Sequence, residues 1–168
     1  MSSLEDIADA KVQAAVTRRL DALTPAIVSI KQEMNARVSL PSSMTAIKIR
    51  DACISFFDEI REDMKTEYGM VLDHVFWPTE LLGDLLISKA SRHFDTVTNR
   101  AQGEISSATQ SLLKKDTQEH CNTITKARDR ALTDLSLFID GHSKIQVRKK
   151  IVRAIAYFPK LISGLIKQ

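Results

Sequence analysis

Four histidines and two cysteines are the residues of this 168-residue chain most suited to metal or acid–base chemistry, and their neighbours decide whether that chemistry is encoded. His120 follows Asp116 by one helical turn and stands beside Cys121, an arrangement that invites a metal or proton-transfer site. Adjacent helical residues point about 100° apart, however, so Cys121 would not join the other two without further ligands, and a solvated helix surface or loop accounts for the trio. His74 beside Asp73, and His93 before Phe94, read as polar edges next to core positions. Glu59 with Asp63, and Glu80 with Asp84, are carboxylate pairs at i,i+4, where proximity could raise one pKa for general acid–base work. Solvated helix faces produce the same pairs, and catalysis would also need a cleft.

Other chemistries lack their residues. The chain holds no glycine-rich phosphate loop, H-E-x-x-H helix, CxxC pair or G-x-S-x-G elbow, and its five glycines are scattered. None of the four histidines has Glu three positions before it, which excludes the standard di-iron bundle. No catalytic, cofactor-binding or metal-binding residue is assigned, no cofactor is implied, and no small-molecule substrate is inferred. An enzyme assembled from dispersed Asp, Glu and His on different helices stands as the last of three functional readings.

The strongest local pattern is the end of the chain, SKIQVRKKIVRAIAYFPKLISGLIKQ. Residues 144–168 contain Lys144, Arg148, Lys149, Lys150, Arg153, Lys160 and Lys167 and no acid, whereas residues 1–143 hold 17 cations against 21 acids. At helical spacing Val147, Ile151, Ile155, Phe158, Ile162 and Leu165 share one face, and Lys149, Lys150, Arg153, Lys160 and Lys167 share the opposite one. Three uses fit such a basic amphipathic helix. Its apolar face could close a bundle with the lysines in water. It could lie on an anionic membrane or in a partner's apolar groove, with Ile151, Ile155, Phe158, Ile162 and Leu165 inserted and Lys149, Lys150, Arg153 and Lys160 holding the anionic surface. It could neutralise nucleic-acid phosphates, although scarce Arg and the absence of a docking motif rank that use last.

The elements that would carry this segment follow from composition and periodicity. Hydrophobic residues at 43%, charged residues at 27% and only four prolines suit one helical domain with its own core. The net charge of +3 is too small to mark the whole surface as a nucleic-acid or membrane binder. The start, MSSLEDIADAK, is acidic and lacks the apolar stretch of a secretory signal or the arginines of a mitochondrial one, so an intracellular, cytoplasmic location is expected, with peripheral membrane attachment through the tail. No segment is long and apolar enough to span a membrane, and Cys53 and Cys121 suit core positions without requiring a disulfide.

Helix one is expected from Ser2 or Ser3, with Ser2 and Glu5 at capping-box spacing and a stripe of Leu4, Ile7, Ala8, Ala15, Val16 and Leu20. Thr24–Pro25 should cap a new helix or kink the first, while Leu20, Leu23, Ile27, Ile30 and Met34 continue a seam spaced like a short coiled coil. Pro41, Ser42 and Ser43 mark a break, followed by Met44, Ile47, Ile54, Phe57, Ile60 and Met64 up to a C-terminal cap at Gly69. MVLDHVFW should add one or two helical turns, with Trp77 plugging the core, before a helix starting at Pro78, Thr79 and Glu80. That helix runs Leu82, Leu86, Ala90, Phe94, Val97, Ala101, Ile105, Ala108 and Leu112 along one face, with a turn expected in 114–123; the alternative is a single rod over 79–140. Ile124, Ala127, Ala131, Leu135 and Phe138 form the next helix, ending at Asp140–Gly141, and the last segment starts near Ser143.

The expected fold is therefore an all-α, mostly antiparallel bundle of five or six helices over residues 1–143, with a basic amphipathic tail over 144–168. The expected function is a non-enzymatic helical interaction or scaffold protein that binds a protein partner or itself and attaches peripherally to anionic membrane. The alternatives are a nucleic-acid-binding accessory protein using the basic tail, and then the enzyme.

Overall fold

A computed structural model describes residues 3–36, 43–75, 79–108 and 114–165, with the side chains of Ser43, Lys114, Lys115 and 153–165 outside the description. Among the described residues the chain is entirely helical, with four helices: α1 Leu4–Ala36, α2 Ser43–His74, α3 Glu80–Ala108 and α4 Lys114–Leu165. The all-α expectation holds, and five or six helices become four because three expected breaks do not occur.

The first is at Pro25, which lies inside α1. Proline removes one backbone hydrogen bond and costs about 3 kcal/mol in a helix interior. Leu23 and Ile27, on either side, are both fully buried, and each contributes about 1.5–3 kcal/mol by leaving water, which offsets that cost. Thr24 is accordingly not a cap; its hydroxyl accepts a hydrogen bond from Arg100 Nη2 at 3.0 Å. The second is at Gly69, which sits within α2 rather than ending it. Val71 and Leu72 are buried in the next turn and hold the helix together to His74, so MVLDH belongs to α2. At Gly69 a Cβ would stand 3.4 Å from the Phe138 ring, so the glycine lies in the helix facing α4 rather than in a turn. The third is at Gly141, and α4 passes through Gly141 and Ser143 without interruption.

Two other boundaries move. The N-terminal capping box uses Ser3 and Asp6 instead of Ser2 and Glu5: Asp6 N donates to Ser3 Oγ at 3.3 Å and Ser3 N donates to Asp6 Oδ2 at 3.4 Å. The turn expected in 114–123 is helix from Lys114 onward, because His120 takes the buried position that the polar composition hid and Ile124 follows it. The single rod over 79–140 is excluded by folding back: Gln102 Nε2 donates to Thr125 Oγ1 at 3.2 Å, Arg128 Nη2 donates to Asp95 Oδ1 at 2.7 Å, and a Cβ on Gly83 would meet Ile139 at 3.6 Å. Thr79 caps α3 by accepting from Leu82 N at 3.3 Å. Pro41, Ser42, Trp77, Pro78 and Leu112 lie outside the described residues.

Ion pairs fix how the helices run. Lys11–Glu67 at 3.1 Å, Arg19–Asp63 at 3.0 Å and Lys48–Glu33 at 2.9 Å make α1 and α2 antiparallel. Arg61–Asp134 at 3.2 Å and His142–Asp73 at 2.8 Å make α2 and α4 parallel, and the contacts between α3 and α4 are antiparallel. α2 touches the other three helices, whereas α1 and α4 stay apart among the described residues. The core is continuous, with Phe57 on α2 against Phe94 on α3 at a ring distance of 6.0 Å. The expected α3 face from Leu82 to Ala108 is buried throughout; on α1 and α2, Leu4, Ile7 and Met44 are exposed, and Val12, Ile49 and Cys53 occupy core positions instead.

Candidate functional site

The tail predicted to bind a surface is the end of α4, and its base is held to the bundle by described side chains. His142 Nε2 lies 2.8 Å from Asp73 Oδ1, Gln146 Nε2 also donates to Asp73, and Lys150 Nζ donates to the Val75 carbonyl just beyond α2. Lys150 therefore places its cation at the negative end of the α2 dipole. The helix continues from there for the fifteen residues to Leu165, and Pro159 lies within it.

Its apolar stripe changes side at this point. Taking the buried Ile139 as the core-facing direction and 3.6 residues per turn, Lys150, Arg153 and Lys160 occupy positions within roughly 60° of that direction. Ile151, Ile155, Phe158 and Ile162 fall roughly 100–160° away from it. The stripe predicted for the tail is therefore rotated away from the one that runs through Leu135 and Ile139, while Tyr157 and Leu161 keep positions within roughly 40° of the core-facing direction. Where side chains are described this is visible directly: Ile151 is 42% exposed and Val152 66% exposed, and Lys149 is exposed beside them. Arg153, Ile155, Phe158, Lys160, Ile162 and Leu165 lie on the α4 backbone, with side chains outside the described residues.

Beside the tail's base, α3 and α4 enclose a groove of about 610 Å³ with Ile87, Ile139 and Val147 in its lining and Glu80, Asp84 and Arg148 among its charges. On the other flank of the α3 N-terminus, Leu81, Leu82 and Leu85 line a cleft of about 560 Å³ together with Glu5 and Asp84. Leu81 is 79% exposed and Leu85 42% exposed. These leucines were missed because Leu82 and Leu86 supplied a sufficient core face. The signal was present in ELLGDLL, where two Leu doublets four residues apart exceed what one buried stripe can accept.

The histidines and carboxylates are distributed over several places. His93 is buried and its Nε2 lies 2.9 Å from Asp9 Oδ1, while Lys89, also buried, reaches Asp6 at 3.1 Å and Asp9 at 3.6 Å. The hydrogen bond from Lys89, aided by Ser3, holds Asp6 below the ordinary carboxylate range. Tyr68 is fully buried, and burial, reinforced by the charge of Asp9, raises its phenol well above 10. This network joins α1 and α3 through buried polar groups, a link between helices 84 residues apart in sequence that no local pattern announces. His74 Nδ1 lies 2.8 Å from the Met70 carbonyl, and His120 is buried on α4. Glu59 and Asp63 are both paired with Arg19, which ties α2 to α1 at this point. Among the described residues no three His, Cys, Asp or Glu side chains are grouped to hold a metal ion. No helix among them is long and apolar enough to cross a membrane. Comparison with protein-family models, with curated proteins and with solved structures finds no match for this chain.

Proposed function

We propose that this chain is a non-enzymatic helical interaction protein that attaches peripherally to an anionic membrane surface through the end of α4. In this reading residues 144–168 are the binding segment and residues 1–143 the bundle that carries it. The observation behind the proposal is the change of side along α4: the apolar stripe of the tail leaves the core-facing direction, and Ile151 and Val152 are already exposed where it begins. Ile151, Ile155, Phe158, Ile162 and Leu165 insert at the acyl boundary, and Lys149, Arg153 and Lys160 contribute about 1 kcal/mol each near anionic headgroups. Lys150 stays on the end of α2 and anchors the helix to the bundle.

The test is cosedimentation of the full chain with anionic and with neutral vesicles, with duplex DNA as competitor, beside an Ile155→Asp/Phe158→Asp variant whose helicity is checked by circular dichroism. Removing two inserted side chains should weaken binding about 100-fold or more. Binding restricted to anionic vesicles, lost in the folded variant and indifferent to DNA, supports the proposal. No binding by the full chain, or equal binding by the variant, overturns it, and suppression by DNA transfers the tail to the nucleic-acid reading.

A further inference from the structure

We infer that the outward face of α4 within the bundle, from Lys126 to Arg148, also lies on anionic lipid, so that the membrane-binding surface begins well before the tail. At about 100° per residue, Lys126, Arg130, Lys144 and Arg148 all fall within roughly 20° of Leu137, on the side of α4 turned away from the buried Ile124, Leu135 and Ile139. Two pairs of cations thus flank one apolar side chain along a line of about 33 Å. Leu137 is 67% exposed, and Ile145 and Val152, at 51% and 66%, edge the same face. Nothing lies within 4 Å of the position a Cβ at Gly141 would occupy, so the middle of this face is open.

The charges on this face are left over once the helices have packed. Cations that meet other helices are engaged: Lys11 with Glu67, Arg19 with Asp63, Lys48 with Glu33 and Lys89 with Asp6. The acids of α4 between 126 and 152 are engaged too, Asp129 by Arg128, Asp134 by Arg61 and Asp140 by Lys144. Lys126, Arg130, Arg148 and Lys149 have no ion pair among the described residues. With seven cations against three acids in residues 126–152, the face favours an anionic surface. A nucleic-acid backbone would take the cations but offers no place for Leu137, Ile145 and Val152, whereas headgroups over an acyl layer take both. α4 is unbroken to Leu165, and the positions of Ile155 and Ile162 prolong the line of Leu137 within roughly 20°. It is the tail's attachment that brings this face to the lipid, and the footprint rests on that reading.

The test uses the full chain with vesicles of phosphatidylserine in phosphatidylcholine, beside phosphatidylcholine alone. Lys126→Gln/Arg130→Gln alters two exposed, unpaired residues, should leave Tm unchanged, and should weaken binding to the anionic vesicles about fivefold for each cation. An environment-sensitive fluorophore on Leu137→Cys, in a Cys121→Ser background with Cys53 buried, should shift its emission to the blue on anionic vesicles. The same label on Val28→Cys, 47% exposed on α1 and away from α4, should not shift. Anionic binding that is unchanged in the Gln variant, or that leaves the Leu137 label in water, overturns the footprint while the tail attachment stands. No binding by the full chain overturns both. A blue shift at both positions, the mark of a bundle opening on the bilayer, overturns the footprint as well. Displacement from vesicles by duplex DNA that is lost in the Gln variant assigns these cations to nucleic acid instead.

Discussion

Gly141→Ala is the substitution whose sign separates a continuous α4 from the break that Asp140–Gly141 suggests. In a helix interior alanine is favoured over glycine by about 0.8–1.0 kcal/mol, because glycine has more backbone freedom to lose on folding. Nothing lies within 4 Å of the position a Cβ at Gly141 would occupy, so no packing cost is subtracted. The expected gain is therefore close to the full propensity difference, about 0.8–1.0 kcal/mol, or about 2–4 °C in Tm for a protein of this size. Were Gly141 instead a left-handed cap, alanine would meet a backbone conformation unfavourable by about 1–2 kcal/mol and the sign would reverse. Urea denaturation followed by circular dichroism measures the difference. Gly103→Ala is the internal standard, since Gly103 also has nothing within 4 Å and lies in α3, where no break is in question. Equal stabilisation by both substitutions agrees with a helix that runs unbroken from the core into the tail. Destabilisation by Gly141→Ala with stabilisation by Gly103→Ala would refute it, and with it the argument that the tail's stripe is rotated relative to the core.

Two further outcomes follow from buried groups. Burial, with the charge of Glu104 adding to it, pushes the Cys53 thiol up to about 12, whereas Cys121 is only partly buried; both are free. A maleimide at neutral pH should modify Cys121 rapidly and Cys53 only as fast as the protein opens, and mass spectrometry showing equal rates would contradict the packing of α2. Tyr68 keeps its proton in the folded protein above the pH at which an unfolded tyrosine loses it, so the unfolded state binds fewer protons there. Stability is fully present below about pH 10 and declines as pH rises beyond it. In a Tyr157→Phe background the tyrosinate absorbance should rise together with the loss of helicity, and ionisation of a still-folded protein at pH 10 would show that Tyr68 is accessible.

What could be read from the sequence was set by the range of the forces involved. The α3 face from Leu82 to Ala108 was legible because every member is fixed by its own helix period, and all of it is buried. Pro25, Gly69 and Gly141 misled for one reason: each is a local disfavour of about 1–3 kcal/mol, and local sequence does not show the tertiary contacts on neighbouring turns that outweigh it. At Pro25 those are Leu23 and Ile27, at Gly69 they are Val71, Leu72 and the Phe138 ring, and at Gly141 they are Ile139, His142 and Gln146. The polar stretch 114–123 misled in the opposite direction, because His120 is buried where an apolar residue was sought. Arg19 with Glu59 and Asp63, and His93 with Asp9, join residues 40 or more positions apart, and only the packing of separate helices brings them together. The charge and amphipathicity of the tail were legible; the rotation of its stripe was not, since it has meaning only once the tail and the core share one helix.

That shared helix also governs posture. With no hinge at Gly141, a tail lying flat in the headgroup layer carries the axis of α4 with it, and the four-helix body must recline along the bilayer instead of standing away from it. The surface turned toward the lipid is then determined by the rotational setting of α4.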